Sequence, residues 1–278
     1  MYNYSVIIPF RDRYDLLVTA VESVPDRVDI QIVLIDNSET PLPVDIIPAK
    51  KAAHVDFFTS PSTKGAGCAR NVGLKNARGK FLLFLDSDDY FTPNAFEAFD
   101  KYLDNDKDIV YFKSDSVNLK DGNQSNRHLV VNGLIDSFNK TGDENILRYQ
   151  FVNPIAKLIR ADYILRKGIQ FDEIKVSNDV WFSVMSGHEA QNITADDAIV
   201  YMITAGDTGT SLTRIQTSEA FFIRYHVMVR VNKFLKTIDK YNYRIRLIGA
   251  LRIAYRDYGL GTFYKAIKYA YDNKVGIF

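Results

Sequence analysis

Five short apolar runs, separated by helix-like stretches, constrain the fold more than any other feature of this chain. Residues 5–8 run up to Pro9, 31–35 to Asp36, 54–58 to a Thr/Ser/Pro loop and 80–85 to Asp86, while 108–112 follow a charged segment. None alternates strictly, so each reads as a strand buried on both faces. Between them, Leu16, Leu17, Ala20 and Val21 mark a helix over 15–23. Ala69, Val72, Gly73 and Leu74 mark another over 67–77 that stops at Gly79. A third is expected over 93–103, with Thr92 as N-cap and Pro93 at the first helical position. Strand and helix in alternation imply parallel strands joined by right-handed crossovers, hence an α/β, doubly wound, mostly parallel sheet.

The remainder is organised differently. Residues 114–127 are polar and rich in turn formers, and read as an exposed loop. A second block follows over 145–201, and beyond Thr213 the chain turns helical, aromatic and basic. We therefore expect a domain over 1–213 and a helical C-terminal extension over 214–278. Charge supports the division. The net charge is +1, yet residues 224–278 hold twelve Lys/Arg against three Asp/Glu, leaving an acidic body before a basic tail.

In a parallel sheet the carboxyl ends of all strands share one edge, and ligands bind where the connections diverge. Asp36, Asp86, Asp88 and Asp89 are therefore expected to face one crevice. Asp86 and Asp88 sit one residue apart just past a strand. One of them can accept hydrogen bonds from a sugar hydroxyl while the other reaches a hard cation such as Mn²⁺ or Mg²⁺. Such an ion removes the repulsion between carboxylates and a diphosphate. The plain alternative is a solvated acidic turn.

Gly65 and Gly67 allow a tight start to the helix that carries Arg70, whose guanidinium can orient carboxylates or contact phosphate. Their spacing does not form a dinucleotide fingerprint. Asp179 precedes an apolar helix with Trp181. It can serve as a general base, although an ordinary pKa of about 3.9 is low for that work unless burial or neighbouring carboxylates raise it. A helix-stabilising acid is the simpler reading. Arg11 and Arg13 lie either beside a nucleotide pocket or exposed at the first helix. Trp181 reads as core or as the wall of an acceptor pocket. His188 and His226 are weak candidates for a further metal ligand.

Together these segments resemble the family-2 glycosyltransferases of GT-A fold. The resemblance is carried by residues 5–9, 33–38 and 67–74, by Phe84-Leu-Asp86-Ser-Asp88-Asp89, and by 153–160, 169–173 and Asn178-Asp179, in order. It spans about residues 4–213. It implies an inverting transfer of a sugar from a nucleotide-diphospho-sugar, UDP-linked, to a hydroxyl of a glycan or lipid-linked saccharide. By the resemblance, Pro9, Phe10, Arg11, Asp36, Arg70 and Asp86 bind the nucleotide. Asp36 meets the base and Asp86 the ribose, Asp88 holds the divalent cation, and Asp179 is the catalytic base. Ser87, Asp89, Asn178 and Trp181 are further candidates. Two departures stand out. The family often has Glu-Asp where this chain has Asn178-Asp179, and the first loop reads Phe-Arg-Asp-Arg rather than Tyr-Asn.

Two rivals share parts of this pattern. A sugar nucleotidyltransferase would carry a glycine-rich loop after the first strand, which Pro9–Phe10–Arg11 is not. An inactive nucleotide-sugar-binding or scaffold subunit would have no need for both the metal-site and base-position carboxylates. One cysteine and four scattered histidines exclude an intrachain disulfide and offer no zinc spacing. With no basic leader and no apolar run of about 18–20 residues, the chain is expected in the cytoplasm. Peripheral contact with the inner face of the cell membrane is expected through 224–278, where lipid-linked acceptors reside; a helical cap or a dimer contact is the alternative for that tail. No nucleic-acid motif accompanies the basic charge.

Overall fold

A computed structural model describes residues 2–12, 14–40, 51, 55–206 and 217–277. Arg13, His54, Thr213 and the expected boundary at 213/214 lie outside the described residues. The chain runs β1 (Tyr4–Phe10), α1 (Tyr14–Glu22), β2 (Ile30–Asp36), β3 (Val55–Thr59), α2 (Gly65–Asn76), β4 (Phe81–Phe84), β5 (Tyr90–Phe91), α3 (Ala95–Asp100), β6 (Ile109–Asn118), α4 (Leu129–Thr141) and α5 (Glu144–Gln150). It continues through β7 (Lys157–Arg160), α6 (Ala161–Arg166), α7 (Val180–Glu189), β8 (Ile193–Ala205), α8 (Ser218–Thr237) and α9 (Ile248–Asp272).

The strands form one sheet in the order β3-β2-β1-β4-β7-β6-β8-β5. β1 pairs in parallel with β2 and β4, β2 with β3, and β6 with β8. β7 is antiparallel to both β4 and β6, and β5 to β8. The sheet is thus mostly parallel, as the alternation predicts. Every residue of β1 and β2 is buried, because helices cover both faces. Val6, Ile8, Ile32, Leu34 and Leu83 join the core on the side of α1 and α3. Their neighbours Ile7, Val33, Ile35, Leu82 and Phe84 join the core of α2 and α4–α7. The period-2 geometry of a strand divides one apolar run between two cores. The first four strands wind outward from β1 in both directions, so the switch point lies between β1 and β4.

Three local expectations differ from what is observed. Pro9 lies inside β1, not at its end. β4 pairs with β1 only as far as Ile7, so beyond that point β1 has a partner on one side alone and tolerates a residue without an N–H. The third helix begins at Ala95, and the Thr92 hydroxyl donates to the Ile199 carbonyl (2.6 Å) rather than capping it. Residues 114–118 continue β6 and are not loop. Their polar groups are satisfied from the side: Asn132 Oδ1 accepts from the Ser114 N–H (3.0 Å), and the Ser116 hydroxyl meets the Ser125 carbonyl (2.8 Å) and His128 Nδ1 (2.7 Å).

The extension beyond 217 consists of α8 and α9, as expected from its composition. They build a core of their own from Phe221, Tyr225, Val229, Leu251, Ala254, Ala266 and Ala270. A smaller cluster, with Val184 of α7 packed on Val231 and Leu235 of α8, joins them to the sheet domain. Arg230 adds a second link. It lies 3.8 Å from the centre of the Trp181 ring, and its Nη1 pairs with both carboxylate oxygens of Asp172 (3.1 and 3.0 Å).

Candidate active site

The carboxyl ends of β1, β2 and β3 are bound into one ledge. The Asn37 N–H donates to the Phe10 carbonyl (2.9 Å), and the Asn37 side chain donates to Ser60 Oγ (2.9 Å) and the Pro61 carbonyl (2.8 Å). Asp12, in the left-handed region at φ 54°, donates its N–H to Ser38 Oγ (3.1 Å). Asp36 sits at the centre of this ledge, and its Oδ1 accepts from the Ser38 N–H (2.8 Å). Asp36 ends β2, and Asp86 lies two residues past the end of β4. Only β1 separates those strands, so their lines run about 10 Å apart. The fold therefore brings Asp36 and Asp86–Asp88 to the same rim at the switch point.

Arg70 organises the rim. Its buried guanidinium donates to Asp86 Oδ1 (2.5 Å) and to Asn178 Oδ1 (2.8 Å), and its Cζ lies 5.5 Å from the Phe171 ring. One side chain on α2 thus connects the loop after β4 with the loop before α7, about 90 residues later. Asn71 reinforces the connection by clamping the Phe171 backbone from both sides, donating to its carbonyl (3.0 Å) and accepting from its N–H (2.8 Å). Gly67 is required for the approach, since a Cβ there would overlap the Asp172 carbonyl oxygen. Gly73 does the same towards β1, where a Cβ would overlap the Ile7 side chain. The run Gly67-Cys-Ala-Arg70-Asn71-Val-Gly73 is thus a set of docking devices on one helix.

Asp179 caps the backbone start of α7 without a side-chain capping bond, so its carboxylate is not spent on the helix. Ser177 before it is held at φ 55°. Burial pushes the Asp179 carboxyl above the usual range; Arg70 opposes that shift and Asp86 adds to it. Nearby, Lys157 is buried. Its ammonium donates to the Phe151 carbonyl (2.8 Å) and lies 4.5 Å from the Phe151 ring, and burial holds its pKa well below the usual value against the pull of Asp179.

The four aspartates divide. Asp89 turns inward and is buried, accepting from the Tyr201 hydroxyl (2.9 Å) and the Thr204 N–H (2.8 Å). Burial and the charges of Asp88 and Asp86 push its pKa well up. Tyr201 in turn accepts from the Asp86 N–H (3.1 Å), and Thr204 Oγ1 donates to the Asp88 carbonyl (2.6 Å). Asp89 thereby fixes the turn that presents Asp86, Ser87 and Asp88, each only partly buried. Asn71 and Lys157 fall within stretches that carry the family resemblance, but nothing local shows what they contact; Tyr201, paired to a carboxylate 112 positions away, leaves no local pattern to read.

The other expected residues make contacts of their own. The Phe10 ring is buried against Phe57, 6.1 Å between centres, so only its backbone belongs to the rim, beside Pro9. Arg11 is exposed and pairs with Asp12 (3.4 Å) and Glu39 (3.2 Å). Trp181 packs between Arg230 and Phe234 of α8. His188 is engaged by the Tyr149 hydroxyl (3.1 Å) and His226 stacks on Tyr269, 4.0 Å between centres.

Among the described residues no group of three or more His, Cys, Asp or Glu is set to hold a metal. What the rim offers is oxygen donors only, with Asp86 already committed to Arg70. That set does not form a cage. It does fit a small hard cation that takes one or two carboxylates and completes its shell with phosphate oxygens and water.

Residues 5–163 match the family model for Glycosyl transferase family 2. The chain is 26% identical over 246 residues to the Escherichia coli protein named UDP-Glc:alpha-D-GlcNAc-diphosphoundecaprenol beta-1,3-glucosyltransferase WfaP, covering 87% of this chain and 89% of that one. Several curated relatives named only as uncharacterized glycosyltransferases match shorter stretches, and the chain spans 15% to 28% of their length. Among solved structures, S. aureus TarS 1–349 in complex with UDP-GlcNAc superimposes with a TM-score of 0.71 at 19% identity, over 98% of this chain and 81% of that one. The mannosyltransferase PcManGT from Pyrobaculum calidifontis, in complex with GDP-Man and Mn²⁺, gives 0.56 at 12% identity, over 97% and 75%. At these identities the structural likenesses speak for the fold, which is the GT-A arrangement expected from the sequence.

Proposed function

The chain belongs to glycosyl transferase family 2, and from that premise we propose that it moves a sugar from a UDP-sugar to a hydroxyl of a lipid-linked saccharide, with inversion at the anomeric carbon, in the synthesis of a cell-surface glycan. The observation that carries this reading is Arg70. It binds the carboxylate Asp86 and the segment leading to Asp179 into one unit, which supports a nucleotide-binding rim with a base beside it. The E. coli relative, by its name, uses UDP-Glc and a diphosphoundecaprenol-linked acceptor, which supports the UDP donor and the lipid-linked acceptor.

In this reading Asp36 receives the base on the ledge formed by the first three strand ends, and Asp86, held by Arg70 and Tyr201, receives the ribose hydroxyls. Asp88 holds Mn²⁺ or Mg²⁺, which when bound offsets the charge of the diphosphate and stabilises it as it departs. Asp179 takes the proton of the acceptor hydroxyl while that oxygen attacks the anomeric carbon. The bond from that carbon to the diphosphate oxygen breaks, and UDP leaves. A carboxyl with a raised pKa is a better proton acceptor near neutrality than an ordinary aspartate, which is what burial does to Asp179. The acceptor's location puts the reaction at the inner face of the cell membrane.

The test is a transfer assay with a panel of UDP-sugars, Mn²⁺ and a GlcNAc-diphospho-lipid acceptor, with the product's anomeric configuration read by proton NMR. A β-linked product from an α-linked donor is expected. An α-linked product would refute inversion, and failure of every UDP-sugar beside transfer from another nucleotide sugar would refute the donor class.

A further inference from the structure

The outer face of α9 bears a pattern that neither donor binding nor catalysis uses. Gly259, at φ 80°, interrupts the helix. After it, Leu260, Tyr264, Ile267 and Tyr271 recur at intervals of four, three and four residues. At 3.6 residues per turn they fall within a strip about 60° wide and about 17 Å long. Ala266 and Ala270 point the other way, fully buried in the core shared with α8. The strip faces water instead: Leu260 is 57%, Tyr264 64% and Tyr271 81% exposed, with Ile267 half-buried beneath them. Before the break, Ile253 and Tyr255 are also exposed, at 43% and 58%. Isolated exposed apolar side chains are ordinary, but a row of them on one helix face marks a docking surface.

Charge identifies what docks there. Lys268 borders the strip and Lys265 lies further round on the same side, Arg252 and Arg256 accompany Tyr255, and Lys274 follows the helix end; Asp257 and Asp272 are the acids interspersed, paired with Arg256 and Lys268 (2.6 and 3.1 Å). The segment from 224 onward has twelve basic residues against three acidic. A second copy of the chain would bring the same positive charge to the contact. An anionic lipid headgroup layer brings the opposite charge and an apolar boundary about 5–10 Å deep, which suits tyrosines and long lysine stems. No helix among the described residues is long and apolar enough to cross a membrane, so the contact is lateral.

We propose that the outer face of α9, centred on Leu260, Tyr264 and Tyr271, docks the protein on an anionic phospholipid surface. The apolar strip inserts at the headgroup boundary and the long basic side chains around it meet lipid phosphate. This holds whichever sugar the donor carries.

The test is co-sedimentation of the full chain with vesicles of phosphatidylcholine alone or with phosphatidylglycerol added. Binding to the phosphatidylglycerol vesicles is expected, weakening as salt rises. The variant Leu260→Ser/Tyr264→Ser/Tyr271→Ser should lose more than about tenfold in vesicle partitioning, because affinity scales with the apolar area inserted. Its thermal midpoint should match that of the unmodified chain, since all three side chains already face water. Lys265→Gln/Lys268→Gln, which leaves the strip intact, should weaken binding to anionic vesicles and leave any residual binding to neutral ones unchanged. The proposal is overturned if the unmodified chain ignores anionic vesicles, if the serine variant binds as well as it does, or if sedimentation velocity without lipid shows a dimer that the serine variant abolishes.

Discussion

Asp179→Asn should lower kcat by roughly 10²–10⁴-fold, the usual worth of a positioned general base, while leaving UDP binding unchanged. The amide is nearly isosteric, so it keeps the start of α7 and the Asn178–Arg70 bond, and removes only the ability to accept a proton. The pH profile gives a second, independent signature. The base works when ionised, so kcat/KM should climb as pH rises through the Asp179 pKa and then level off. Burial raises that pKa, and Arg70 only partly offsets the rise. The climb should therefore lie at higher pH than an ordinary carboxylate of about 3.9 would give. In the asparagine variant this acid limb should disappear. An unchanged limb in a slow variant would assign the titration to another group.

Arg70→Ala should be the most damaging single change to the fold. It removes the guanidinium that Asp86 and Asn178 share and that packs on Phe171. Breaking a buried ion pair costs about 3–5 kcal/mol, and the lower end applies here because Asp86 keeps contact with water. At about 2–4 °C per kcal/mol for a chain near this size, the thermal midpoint should fall by about 6–12 °C. Arg70→Lys should not restore it, since an ammonium cannot span two partners in a fixed fork. Because Arg70 holds the Asp179 pKa down, its loss should also move the acid limb of the activity profile to higher pH. Differential scanning calorimetry and a pH–rate profile measure the two effects. A midpoint within a degree or two of the unmodified protein would mean that the loops after β4 and before α7 are held together by something else.

The parts of this fold legible in the sequence are those written in local pattern. Strands β1, β2 and β4 show as unbroken apolar runs because both faces are covered, and a parallel sheet then forces Asp36 and Asp86–Asp88 to one edge. The rest is written in contacts between distant segments. Residues 114–118 look like loop because strand propensity weighs side chains alone, while Asn132, Ser125 and His128 supply the partners that let polar residues sit in β6. Asp89 reads like Asp88 on paper, yet Tyr201 and the Thr204 N–H draw it inward, so one of two adjacent acids becomes scaffold. The family resemblance placed Arg70 and Asp179 in one site. The reason for their proximity, a glycine at 67 that lets the Asp172 backbone touch α2, shows only in three dimensions.

The same division applies to the tail. Its basic charge is visible in the sequence, but the strip of Leu260, Tyr264 and Tyr271 emerges only once Ala266 and Ala270 are seen to face α8. Trp181 likewise resolves into a joint: stacked with Arg230 and edge-on to Phe234, it ties the helix that begins at Asp179 to the extension carrying the proposed membrane face.

If Asp88, on the same rim as Asp36 and Asp86, holds a divalent cation that receives a nucleoside diphosphate, UDP affinity must depend on both. The direct measurement is a calorimetric titration of UDP into the unmodified chain and into Asp88→Asn, each with and without Mn²⁺. Binding by the unmodified chain should weaken by more than about tenfold, or about 1.4 kcal/mol, when Mn²⁺ is withheld, and the Asp88→Asn variant should bind equally weakly with or without it. Equal affinity in all four titrations would rule out a metal-holding role for Asp88.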